Sequence, residues 1–336
     1  MTGFVPLYPL RFAPIYEDRI WGGRQLEDLL TAPLPAAGSI GEAWLLSDRE
    51  DHPSIVADGP LQGWPIAAVM KEASEQILGS RLGPFSRFPL LLKFLDARDR
   101  LSVQVHPSDA DRRYIPAGES GKTEAWVVLE AGSESRIYPG LKPGTTADDL
   151  RAAIAAGTVG EHLESFTPRP GDVIFIPAGT VHCLGGDVVV FELQQNSDVT
   201  FRLYDWDRTD PKTGSPRELQ IDEALACIDF TNGAAGRVLP VVESRTPVLR
   251  ERLLECGYFG LWRIRGASPF SVGAPGVPRI LVCIDGNGEI EHVGSAFPVA
   301  KGDVLLLPAE VGSCTFAPTP EASLLEISIP EGRSLP

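Results

Sequence analysis

Three side chains with the donor chemistry of a metal site are spread through the middle of the chain: His106, Glu124 and His182. In Gln104-Val105-His106, residues i and i+2 of an extended strand share a face, so Gln104 and His106 project together while Val103 and Val105 turn away. The strand is otherwise hydrophobic, and a Gln and a His aimed inward need polar partners or a metal. A lone inward His is more often a hydrogen-bonded core residue, so the further donors decide. Glu124 heads the next apolar strand, after the turn Gly121-Lys122-Thr123, and His182 closes the pattern Gly-x5-Pro-x-Gly-x2-His over 171–182. Two imidazoles and a carboxylate suit Zn²⁺, Fe²⁺ or Mn²⁺, with the Gln104 oxygen as a candidate fourth ligand.

Charged residues stand near these donors. Arg202 shares a strand face with Thr200 and Tyr204, opposite Val199, Phe201 and Leu203, and is either a site residue or a surface one. Lys93 interrupts the apolar run 90–95, where a cation is costly unless it faces a polar cavity or snorkels off the outer face. Lys122 precedes Glu124 by two residues. Glu192 ends another apolar strand between His182 and Arg202, as a pocket carboxylate or an exposed strand end.

The elements that must position these groups are mostly strands. PLLLKFLD (89–96), RLSVQVHP (100–107) and EAWVVLEA (124–131) read as strands, followed after Gly171 by DVIFIPAG, DVVVFELQ and DVTFRLYDW. Helical spacing covers Pro65 to Leu82, with Gly83-Pro84 as stop signal, and 146–165, with Thr146 as N-cap. A short helix is expected over 218–226. The first 60 residues contain turn-rich pieces such as WGG at 21–23, and 240–336 reads as strand and turn throughout.

A repeat organises the chain. PGDVIFIPAGTVHCL (170–184) aligns without gaps onto KGDVLLLPAEVGSCT (301–315), and EAWVVLEAGSESRI resembles RILVCIDGNGEI at 279–290. His182 falls opposite Ser313, so the second copy lacks a histidine ligand.

Composition sets the class. The 336 residues suffice for two domains; 43% are hydrophobic and 22% charged, which is globular composition, and 34 Gly with 30 Pro favour an all-β class with minor helices. The net charge of −15, with no basic cluster, argues against a nucleic-acid partner, while a few local cations can still dominate a small anionic pocket. No apolar run is long enough to span a bilayer, and five scattered Cys without a CxxC pair point to a reducing, cytoplasmic setting rather than a disulfide framework.

The spacing around His182 resembles the second motif of the cupin superfamily, where the His is a metal ligand on an antiparallel barrel. The first cupin motif would put His where Gln104 stands and Glu much nearer. That departure, with RIWGG (19–23), IGEAWLLSD (40–48), FPLLLKFLDARDRLSVQVHPSD (88–109), GKTEAW (121–126), PAGTVH (177–182), QQNSDVTFRLYDWDR (194–208) and GSPRELQ (214–220), closely resembles the short bacterial form of the type I phosphomannose isomerases. The resemblance implies two jelly-roll cupin barrels in tandem with short helical insertions, a metal-binding domain over 1–238 and a degenerate one over 239–336. It also implies one zinc ion per chain held by Gln104, His106, Glu124 and His182, Arg202 as active-site arginine, and a sugar phosphate as small-molecule partner.

The implied reaction interconverts mannose 6-phosphate and fructose 6-phosphate by proton transfer between C1 and C2 through an enediol. It needs a Lewis acid, a stabiliser for the developing oxyanion and a proton carrier. The metal fits the first and Arg202 the second; Glu192 or a metal-bound water fits the third. Lys93, Lys122 and, more weakly, Arg24 are candidates for the phosphate. Two other readings use the same donors: a non-haem iron cupin oxygenase, whose two-His-one-carboxylate triad they also satisfy, and a non-catalytic sugar-phosphate-binding cupin.

Overall fold

The computed structural model describes residues 5–82 and 85–331. A six-stranded antiparallel sheet runs in the order Ile15–Gly23, Ile40–Leu46, Leu90–Ala97, Val188–Gln195, Glu124–Ala131, Val173–Ile176. All eight residues of Leu90–Ala97 are buried because this strand is central and covered on both sides. One face, with Leu92, Phe94, Val127, Phe191 and Leu193, belongs to a continuous apolar core shared with Leu261, Leu281 and Leu325 of the C-terminal half. The other face carries Lys93, Trp126 and Glu192.

Short strands stand across from that second face. Val103–Val105 pairs with Phe201–Tyr204, Ile137–Tyr138 pairs with Cys183–Leu184, and a bridge between Gln104 and His182 joins the two pairs. The expected strand over 100–107 is thus only three residues long. Val103, Val105, Val181, Cys183, Phe201 and Leu203 form a separate cluster with Leu150 and Ala153. Alternation along the strands then turns Gln104 and His182 the other way, toward the large sheet.

The C-terminal half is a nine-stranded sheet whose main path is Leu10–Arg11, Val304–Leu307, Arg279–His292, Cys314–Ser328, Gly260–Gly266, Leu249–Glu255, Val241–Ser244. The expected all-β class with minor helices is what the chain adopts. No sheet among the described residues closes on itself, so the hydrogen bonding does not show the two closed barrels implied by the resemblance. Leu10–Arg11, at the N-terminal end, pairs with Leu305 and Leu306 of the second sheet.

Helices lie close to where the spacing puts them, at Ile66–Leu78, Ala147–Ala156 and Ile221–Cys227. The first ends at Gly79, with φ +76°, and the expected stop at Gly83-Pro84 lies outside the described residues. The second begins with a capping box between Thr146 and Asp149 and stops at left-handed Gly157, earlier than the expected 165. Trp21-Gly22-Gly23, read as a turn, instead ends a strand: a Cβ on Gly22 would lie 2.4 Å from the Gly41 backbone nitrogen, so glycine permits that approach. No helix among the described residues is long and apolar enough to cross a membrane.

Candidate metal centre

His106 follows the short Val103–Val105 strand, Glu124 opens its own strand, and His182 immediately precedes Cys183–Leu184. Their ligand atoms lie within 4.8 Å of one another, and all three residues are buried. His106 Nε2 is 3.4 Å from Glu124 Oε2, and His182 Nε2 is 3.3 Å from Glu124 Oε1. Gln104 joins them, its amide nitrogen 3.3 Å from His182 Nε2. Rotating that amide by half a turn presents its oxygen instead, the atom a cation takes.

The imidazoles are oriented from behind. His106 Nδ1 is 2.9 Å from the Val199 carbonyl, and His182 Nδ1 is 2.9 Å from the Thr180 carbonyl. A carbonyl only accepts, so both Nδ1 atoms carry the proton and both Nε2 atoms present lone pairs. Burial, and then the Lys122 charge, push the His106 pKa down to about 3 against the pull of Glu124. Burial likewise lowers His182. Both rings are therefore neutral near pH 7, the form that ligates.

Burial alone would raise the Glu124 carboxyl, but the Lys122 charge, with Nζ 3.0 Å from Oε2, leads in holding it well below the usual carboxylate range. His106 Nε2 and Glu124 Oε1 are buried without a hydrogen-bond partner, and Glu124 Oε2 has the Lys122 ion pair. Orphaned polar atoms of this kind are costly in a protein interior unless a ligand satisfies them. Two neutral imidazoles, an ionised carboxylate and an amide oxygen fit a divalent transition metal.

Around this cluster the sheet face is polar. Strand register sets Trp44, Lys93, Glu192 and Trp126 side by side across four strands. Lys93 points inward, not off the outer face, with Nζ 4.3 Å above the Trp44 ring. Its ammonium lies 3.4 Å from Asp198, 3.6 Å from Glu42 and 3.9 Å from Glu192. Glu192 is a buried carboxylate, not an exposed strand end, and one oxygen accepts from Trp126 Nε1 at 3.0 Å. Burial, then the Glu124 charge, push its pKa up to about 7 against Lys122 and Lys93.

Arg202 is the cross-strand neighbour of Gln104, which ties it to the same ligand strand. Its Nη1 donates to the Glu218 carbonyl at 2.8 Å, while its buried Nε has no partner. Arg24 is not drawn in: its guanidinium binds the carbonyls of Pro35 and Gly38 and pairs with Glu27. Sequence reasoning did not single out Glu42, Trp44, Trp126 or Asp198, although all four lie in the stretches quoted above. Glu42 sits two residues before a Trp on a strand whose every residue is buried, and an acid in such a run was the available signal.

A model of the type I phosphomannose isomerase catalytic domain matches residues 10–125. Mannose-6-phosphate isomerase ManA of Bacillus subtilis is 35% identical over 307 residues, covering 90% of this chain and 94% of that protein. Mannose-6-phosphate isomerase of Streptococcus mutans is 33% identical over 310 residues, covering 92% and 95%. The crystal structure of the Bacillus subtilis mannose 6-phosphate isomerase matches with a TM-score of 0.88 at 31% identity, over 96% of this chain and all of that one. A phosphomannose isomerase variant from Salmonella typhimurium matches at 0.75 with 15% identity, a likeness of fold alone. Identity of this extent over nine-tenths of the sequence means that the chain belongs to the type I phosphomannose isomerases.

Proposed function

We propose that this chain interconverts D-mannose 6-phosphate and D-fructose 6-phosphate with one zinc ion held by Gln104, His106, Glu124 and His182. The observation that carries the reading is the buried His106–Glu124–His182 cluster with its orphaned atoms, in a member of that isomerase family. Bound there, zinc supplies a Lewis acid for the sugar carbonyl. The remaining work falls to the chain. Glu192 takes the proton from one carbon and returns it to its neighbour; a carboxyl poised near 7 suits both halves of that transfer. Its Trp126 hydrogen bond fixes one oxygen and leaves the other for the substrate. Arg202 stabilises the developing oxyanion, and Lys93 and Lys122 offer cations to the anionic sugar.

The scaffold in this reading is a pair of cupin-like units divided near 238/239, with Leu10–Arg11 crossing to the second. The repeat supports it: Glu124 pairs with Ile176 in the first copy and Arg279 with Leu307 in the second. A cytoplasmic location accords with five cysteines, none of which forms a disulfide among the described residues.

A coupled assay for fructose 6-phosphate, before and after chelation and again after zinc is returned, tests the function. Activity should vanish with the metal and come back with zinc. Stoichiometric iron with oxygen consumption would overturn the reading, as would a zinc-loaded protein that binds mannose 6-phosphate without forming product.

A further inference from the structure

We propose that Glu42 is a positioning residue of this site: acting through Lys93, it holds that ammonium above the Trp44 ring and beside Glu192, where the anionic sugar meets it. Lys93 is 3% exposed and ends in a compact charge on a flexible four-carbon stem, so its direction is set by what surrounds it. Three carboxylates do so, and they differ in how firmly each is held. Asp198 lies between strands and its side chain is 45% exposed. Glu192 is 3.9 Å away and engaged by Trp126.

Glu42 alone is fixed from several sides, on the Ile40–Leu46 strand next to that of Lys93. Its oxygens accept from Arg19 Nε at 3.0 Å, Arg19 Nη2 at 3.3 Å and Trp44 Nε1 at 2.7 Å. Burial opposes its charge, but Lys93 and Arg19 outweigh burial and hold its pKa down to about 2. The anchor therefore stays ionised throughout the working range. No described hydrogen bond or ion pair joins Glu42 to Gln104, His106, Glu124 or His182; its ion pair into the site is with Lys93, and its charge adds a smaller upward push on the Glu192 carboxyl.

The inference rests on Lys93 meeting the substrate, and a double-mutant cycle on the zinc-loaded enzyme separates the two claims. Glu42→Gln should lower kcat/KM roughly 10- to 100-fold, the scale set by an ångström of misplacement. Bound zinc should stay at one per chain. Glu42→Asp, which keeps the charge on a shorter stem, should recover part of the loss and guards against a Gln variant that fails to fold. In a Lys93→Met background, either Glu42 change should cost little more.

Lys93→Met with wild-type kcat/KM would sink the reading of Lys93, and this inference with it. A damaging Lys93→Met beside harmless Glu42 variants would sink only the role of Glu42. An equal loss from the Glu42 change in both backgrounds would also overturn it, because Glu42 would then act by a route other than Lys93.

Discussion

The two halves of the molecule place corresponding strands in the same order and fill most of their matched site positions with different chemistry. Val173–Ile176, Glu124–Ala131, Val188–Gln195, Leu90–Ala97 and Ile40–Leu46 correspond in sheet order to Val304–Leu307, Arg279–His292, Cys314–Ser328, Gly260–Gly266 and Leu249–Glu255. Register then matches residues one to one. Arg279 stands where Glu124 does, Ser328 where Gln194 does, Glu326 where Glu192 does, Trp262 where Lys93 does and Arg250 where Glu42 does. Ser313 replaces His182 in the repeat. Glu326 accepts from Arg250 at 2.8 Å and from the Gly273 backbone at 2.9 Å, whereas Glu124 keeps one oxygen without a partner. The rim differs too. Ala309 and Glu310, equivalent to Ala178 and Gly179, donate backbone hydrogen bonds at 2.9 Å to the end of the Ile66–Leu78 helix. Among the described residues, the first half keeps buried polar atoms without a partner at its donor cluster, whereas the second half has none and uses its rim to bind the Ile66–Leu78 helix.

The sharpest break of this comparison is at its matched ligand position. His182→Ala should cost metal and activity together, by more than the roughly 10- to 100-fold typical of an outer-shell partner. Ser313→Ala should leave both near wild type. Metal content and the coupled assay read the pair. A dead Ser313→Ala enzyme that still folds would mean that the second half shares in the chemistry.

Matched carboxylates give the next effect. Glu192→Gln should keep its metal and its fold yet lose roughly 10²- to 10⁴-fold in kcat, the range for a positioned general base. In the wild type, kcat/KM should fall as pH drops below an apparent pKa at or under about 7, because the base must be ionised to accept the proton. A bound cation near this carboxyl can only move that limb downward. An acid limb that survives unchanged in Glu192→Gln would assign the proton to another group.

How much of this contrast was legible in the sequence depends on how local each signal is. Gln104 and His106 lie two apart on one strand, and His182 lies in a turn pattern that repeats with Ser313 in its place, so the candidate donors and the missing histidine of the second copy could be named from the sequence. Glu42 and Lys93 are 51 residues apart, and only strand register brings them together. The direction of Lys93 was undecidable from its apolar run because both faces of a central strand are buried. Leu10–Arg11 gave no hint of joining the far sheet: a two-residue strand carries no periodicity. Closed barrels were an expectation of the family likeness, and closure depends on hydrogen bonds at sheet edges, which side-chain pattern does not encode.

Glu326→Ala carries the comparison into stability. Removing a buried carboxylate that is hydrogen-bonded to a backbone amide and to a half-exposed arginine should cost about 2–3 kcal/mol. The folded enzyme should keep its metal and its kcat. Denaturant unfolding beside the isomerase assay would show whether the same position serves catalysis in one half and folding in the other. A kcat that drops with the melting curve unmoved would erase that distinction.

The smallest expected effect concerns the connection that only the first half lengthens. Between Glu124–Ala131 and Val173–Ile176 lies helix Ala147–Ala156, whereas the matched strands of the second half are connected through Ser295–Ala300, which folds back on Arg279–His292 as a hairpin. Leu150 and Ala153 of that helix pack in one cluster with Val103, Val105 and Cys183, behind the strands that present Gln104, His106 and His182. Thr146 caps the helix, accepting from the Asp149 backbone while the Asp149 carboxylate accepts from Thr146. Thr146→Ala should therefore cost about 1 kcal/mol in denaturant unfolding. The ligand strands also pair with each other and with Phe201–Tyr204, so zinc affinity should hold. If zinc affinity fell along with stability, the inserted helix would count among the features that let the first half hold a metal, and its absence from the second half would help to explain why that half does not.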